Sequence, residues 1–135
     1  MGAFKEILIE YPFLGEIQCG FPSPAADYLE DHLSLNDHLV KKPAATFFMR
    51  AKGDSMTGAG VFPGDLLIVD RSITAKSGHI VVASINGEFT LKRLMSIRGQ
   101  NFLYPENNNY KPIPISSEMD FQVFGVVTYN IHKLT

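Results

Sequence analysis

Asn86-Gly87 stands between two apolar runs, His79 to Ile85 and Glu88 to Met95, and constrains the fold more than any other dipeptide in the chain. Asn-Gly readily adopts the positive φ angles of a two-residue hairpin loop, whose twist matches that of its flanking strands. Such a loop pairs Ile85 with Glu88, Ala83 with Thr90 and Val81 with Lys92. Directly paired residues share a face, and side chains alternate with a period of two. Lys92 therefore belongs with Val81, Ala83 and Leu94, while Val82, Ser84, Phe89 and Leu91 take the other face. Both faces are rich in apolar groups, so the hairpin is expected to be buried on both sides.

Strand signals continue on either side. Thr46 to Ala51 reads as a strand, and Pro63-Gly64 as a turn leading into Leu66-Leu67-Ile68-Val69. Phe102-Leu103-Tyr104 and Phe121 to Ile131 add further strands. Many short strands with frequent turns predict a mainly β domain of short, twisted antiparallel strands over residues 45–135. Residues 1–44 read as a flexible N-terminal arm. Pro12, Gly15, Gly20 and Pro22 break any sustained period in its first half. Within it, Ile7 to Ile9 is a candidate strand. Ser23-Pro24 is a candidate helix start, placing Tyr28, Leu29 and Leu33 on one face. Ser34-Leu35-Asn36-Asp37 resembles a capping box and predicts a short helical turn ended by Pro43.

Composition narrows the function. The 135 residues suit one domain plus an arm, and 45% hydrophobic content with 19% charged residues is ordinary for a globular protein. The formal charge of -2 argues against an extensive nucleic-acid footprint. The basic pairs Lys41-Lys42 and Lys92-Arg93 are too short to supply one. One cysteine allows no internal disulfide and fits a cytoplasmic protein. No apolar run approaches the roughly 20 residues of a membrane span, and no signal peptide is evident. His32, His38, His79 and His132 lack metal-ligand spacing, so neither a metal nor a cofactor is expected.

Two residues carry candidate chemistry. A free lysine has a pKa of about 10.4 and is almost wholly charged near neutrality, so it cannot accept a proton. Burial disfavours the charged form and lowers that pKa. Lys92 on a buried hairpin is thus either a tuned base or an ordinary lysine snorkelling from a sheet edge. Ser55 lies in Gly53-Asp54-Ser55-Met56, a polar turn followed by Gly58 and Gly60. A serine there can project its hydroxyl while nearby backbone N–H groups face a developing oxyanion, or it can be turn chemistry alone. Asp54 has no histidine to orient and is expected to brace the turn.

Taken together, several segments resemble the UmuD branch of the LexA/UmuD self-cleaving serine peptidases. They are Gln18-Cys19-Gly20-Phe21-Pro22-Ser23-Pro24-Ala25-Ala26-Asp27-Tyr28, Gly53-Asp54-Ser55-Met56, Gly64 to Asp70, Gly87 to Lys92 and Phe124-Gly125-Val126-Val127. The resemblance covers roughly Gln18 to the C-terminus. It implies a LexA/UmuD-like peptidase domain with Ser55 as nucleophile, Lys92 as general base, and Asp54 and Met56 supporting the turn and oxyanion site. It implies cleavage of the chain's own Cys19-Gly20 bond. It implies a homodimer whose cleavage is stimulated by a RecA–single-stranded-DNA filament in the SOS response. The trimmed dimer would then serve a UmuC-like Y-family polymerase in translesion synthesis.

The proposed substrate segment suits an extended cleft. Cys19 is small, Gly20 removes bulk past the bond, and Phe21 and Ser23 precede prolines that favour extended backbone. A fully extended chain from Gly20 to Ser55 spans up to about 115 Å at roughly 3.3 Å per residue, ample for docking in its own or a partner's site. Three rivals stand beside this reading. A DNA-reading repressor needs a helix-turn-helix unit that 19 residues before the bond do not provide. A membrane signal peptidase needs an anchor. A non-enzymatic, polymerase-regulating interaction module would retain Ser55 and Lys92 only as relics.

Overall fold

The computed structural model describes residues 8–22, 24 and 31–135 and divides the chain into two units, Met1–Lys41 and Lys42–Thr135. In the first unit, strand β1 (Tyr11–Phe13) pairs antiparallel with β2 (Asp31–Leu33), Tyr11 facing Leu33. Part of the predicted arm therefore carries regular structure. The strand expected at Ile7 to Ile9 is displaced: Ile7 lies outside the described residues, Leu8 and Ile9 are exposed coil, and pairing starts at Tyr11. The helix expected after Ser23-Pro24 falls mostly outside the described residues. Its last member, Leu33, forms cross-strand pairing in β2 instead. Helix α1 (Leu35–Leu39) follows, and the Ser34 side chain accepts the Asp37 N–H as its cap. The helix stops at Leu39, and Pro43 opens a separate 3-10 turn, Pro43–Ala45.

The second unit is a seven-stranded antiparallel sheet. It contains β3 (Thr46–Arg50), β4 (Leu66–Asp70), β5 (Ile80–Ile85), β6 (Glu88–Ile97), β7 (Gln100–Tyr104), β8 (Ile113–Pro114) and β9 (Phe121–Ile131). Their spatial order is β3-β4-β9-β5-β6-β7-β8. The β5–β6 register is the one expected, with Ile85 opposite Glu88, Ala83 opposite Thr90 and Val81 opposite Lys92. Asn86 at φ 49° and Gly87 at φ 84° supply the two positive angles that a type I′ loop demands. At Phe62-Pro63-Gly64-Asp65, Gly64 takes φ 90° after a proline, as a type II turn requires, and the Asp65 N–H donates to the Phe62 carbonyl at 3.1 Å.

Strand β9 spans both β4 and β5. Its register slips opposite Ile68/Val69 and again opposite Val82/Ala83, which leaves Thr128 and Phe124 as extra residues. Such bulges bend and twist a strand, letting one long element serve two neighbours. Phe124 packs edge-on against Phe47 and Phe89, with Arg71 over its ring.

The predicted two-sided burial follows. Val81, Ala83, Leu94, Leu103 and Val126 form one core cluster. Met56, Val61, Leu67, Val69 and Val82 form a second, with Leu91 and Phe124 packed on it. Fully burying each Val, Leu or Met side chain among them contributes about 1.5–3 kcal/mol. The second cluster includes Met56, so the Ser55 turn is anchored in the core by the residue that follows it.

Candidate active site

The Ser55 turn connects β3 to the 3-10 turn Thr57–Ala59. Its foundation is the Asp65 turn. Ala51 N–H donates to the Asp65 carbonyl and Gly64 N–H to the Ala51 carbonyl, each at 2.9 Å. Asp65 itself is buried, and its carboxylate accepts the Phe62 N–H at 2.8 Å and Asn130 Nδ2 at 2.9 Å, with His132 Nδ1 2.5 Å away. Burial by itself would raise the Asp65 pKa, but these donors and the His132 charge together hold it below the usual carboxylate value. The end of β9 is thereby fastened to the base of the Ser55 turn.

Lys92 Nζ lies 3.1 Å from Ser55 Oγ. The same nitrogen donates to Thr90 Oγ1 at 2.9 Å and to the Leu91 carbonyl at 3.0 Å. Lys92 is only 9% exposed, and loss of hydration lowers its pKa from the ordinary lysine value. No carboxylate is paired with it among the described residues. Ser55 and Lys92 line a cleft of about 210 Å³ whose walls include Met49, Val61, Leu67 and Val82. The snorkelling alternative for Lys92 does not describe this geometry, because the ammonium ends on a hydroxyl inside a cleft. A neutral amine at this distance can accept the Ser55 proton, which a charged one cannot.

Met56 is buried, as a core residue. Among the described residues, no acceptor takes the N–H of Ser55 or of Met56. Asp54 braces the turn through residues that the sequence reading did not single out. Tyr110 Oη donates to Asp54 Oδ1 at 2.5 Å, and Asn107 Nδ2 to the Asp54 carbonyl at 2.9 Å. Glu106 N–H donates to the Ser55 carbonyl at 2.8 Å and Gly58 N–H to the Glu106 carbonyl at 2.7 Å. The Asn-rich run after Pro105 was the available signal, since asparagine side chains often bond nearby backbone in turns. Thr90 was also legible, two residues before Lys92 on the same strand face. Cys19 and Gly20 are exposed in the first unit. Among the described residues, no helix is long and apolar enough to cross a membrane.

The family model described as Peptidase S24-like matches residues 12–128. The chain is 48% identical to Protein ImpA of Salmonella typhimurium over 121 residues, covering 90% of this chain and 82% of that protein. It is 42% identical to Protein MucA of Escherichia coli over 120 residues, covering 88% and 82%. It is also 40% identical to the LexA repressor of Xylella fastidiosa (strain M23) over 122 residues, covering 90% of this chain but 57% of the repressor. A match that takes in the Ser55 turn, the Lys92 strand and the cleft between them means that the chain belongs to the Peptidase S24-like family.

Proposed function

We infer that the protein is a serine endopeptidase that cuts its own Cys19-Gly20 bond with Ser55 as nucleophile and Lys92 as general base. The observation that carries this reading is the 3.1 Å approach of a dehydrated Lys92 amine to the Ser55 hydroxyl. Once neutral, the amine keeps two N–H groups, and Thr90 Oγ1 and the Leu91 carbonyl accept them. Its lone pair is then turned toward Ser55. Lys92 takes the Ser55 proton as Oγ attacks the Cys19 carbonyl, and the N–H groups of Ser55 and Met56 receive the oxyanion. Lys92 next gives the proton to the departing Gly20 amine, leaving a Cys19 ester on Ser55. Water attacks the ester, Lys92 accepts its proton and returns it to Ser55, and residues 1–19 leave. The exposed Cys19 and Gly20 suit a bond that must enter a cleft in extended form.

The wider role rests on the UmuD-like resemblance. In this reading the protein is a cytoplasmic homodimer composed of a cleavable arm (residues 1–44) and a catalytic and dimerisation domain (residues 45–135). A RecA–single-stranded-DNA filament stimulates cleavage, and the trimmed dimer becomes an accessory subunit of a UmuC-like Y-family polymerase in the SOS response. Mass spectrometry of purified protein after incubation tests the enzymatic core. The product Gly20–Thr135 is expected from the wild type and absent from Ser55→Ala. An intact wild type under alkaline conditions, with or without the filament, would favour the non-enzymatic interaction module instead.

A further inference from the structure

We propose that the segment Pro105–Tyr110 is a positioning clamp for the Ser55 turn, with Asn107 and Tyr110 as positioning residues that act on Ser55 through Asp54. The role in cleavage rests on the Ser55/Lys92 reading above. Four contacts converge on three residues of the turn, Asp54, Ser55 and Gly58. Glu106 grips the backbone at the nucleophile and just after it, through the Ser55 carbonyl and the Gly58 N–H. Asn107 and Tyr110 hold the main chain and side chain of Asp54, the residue just before it. The approach is close enough that a Cβ at Gly58 would sit 2.5 Å from the Glu106 carbonyl oxygen.

The clamp also touches the strand of the base. Arg93, next to Lys92, places Nε 2.6 Å from Glu106 Oε1 and donates Nη1 to the Gly78 carbonyl at 2.5 Å. One short segment thus ties the nucleophile's turn to the strand that carries the amine. A displacement of about 1 Å between reacting groups can cost about 100-fold in rate, so fixing this spacing has kinetic weight. The hydrogen bond to Asp54, and then its charge, raise the Tyr110 phenol pKa. Tyr110 therefore holds its proton, and with it the hydrogen bond to Asp54, at neutral pH.

A double-mutant cycle and hydrogen exchange test the clamp. Tyr110→Phe and Asp54→Ala should each slow self-cleavage about 3- to 10-fold, with melting temperature and the midpoint of the pH–rate profile unchanged. The double variant should be no slower than the slower single, and Asp54→Asn, which keeps an acceptor for Tyr110, should recover most of the rate. In a Ser55→Ala background, Tyr110→Phe and Asn107→Ala should speed exchange at the Glu106 and Gly58 amides. Multiplying losses, or a wild-type rate in Tyr110→Phe, would overturn the proposal. Should the wild type not cleave, or Ser55→Ala still cleave, the peptidase reading falls and exchange alone judges the clamp. Faster exchange upholds it as the holder of this turn, and unchanged exchange overturns it.

Discussion

Val81, which has no exposed surface, is the cross-strand partner of Lys92. This pairing commits the lysine stem to the core and leaves its amine poorly hydrated. The folded state therefore binds the Lys92 proton less tightly than the unfolded chain does. Between the folded Lys92 pKa and the free-lysine value of about 10.4, the unfolded state carries more protons, so stability rises with pH. In a Ser55→Ala background, the stability of the Lys92 protein relative to Lys92→Met should be flat at lower pH and climb through that window. Urea denaturation at stepped pH measures it. A difference that falls with rising pH would mean that the amine is not desolvated.

Asp65 carries the opposite sign. Its folded pKa is depressed, so its contribution is full above the unfolded value of about 3.9 and is lost as pH falls through the folded value. Asp65→Ala should destabilise the domain by about 2–3 kcal/mol at pH 7 by stripping acceptors from Phe62 N–H and Asn130. The gap should narrow under acid, as thermal denaturation of both proteins from pH 7 down to pH 2 would report.

Gly125 fits a space that holds no side chain. A Cβ there would lie 2.6 Å from Val69 Cγ1 and 3.2 Å from the Asp70 carbonyl oxygen. Gly125→Ala should cost about 1–3 kcal/mol by overpacking. Adding Val69→Ala should return part of that loss, because it removes the nearest clashing atom. Denaturation of both single variants and the double variant checks the coupling.

The β domain was readable because its signals are local. Asn86-Gly87 set a register that holds pair by pair, and that register put Lys92 opposite Val81. The strands Thr46–Arg50, Leu66–Asp70, Gln100–Tyr104 and Phe121–Ile131 carry alternating or continuous apolar runs of the same kind. The first unit was less legible. Tyr11–Phe13 and Asp31–Leu33 are three-residue strands whose pairing crosses a long gap in sequence, and no periodicity can reveal that. The two bulges of β9 were hidden for a related reason. They arise from serving two partner strands at once, a tertiary demand with no residue signature at Phe124 or Thr128. In the site, Ser55 and Lys92 were reached through a motif, but the Asp54 brace was not. Tyr110 meets Asp54 across 56 positions in sequence, and only the folded sheet brings them together.

The central claim is that Lys92 acts as a neutral base toward Ser55, and the pH–rate profile of self-cleavage tests it most directly. Release of Gly20–Thr135 should accelerate from pH 7 toward pH 10 and level off once the amine is neutral. Lys92→Ala should slow it by about 10²- to 10⁴-fold, and Ser55→Ala by at least about 10³-fold. A rate that stays flat across this range in the wild type, or cleavage at the wild-type rate in the Lys92→Ala protein, would contradict the account.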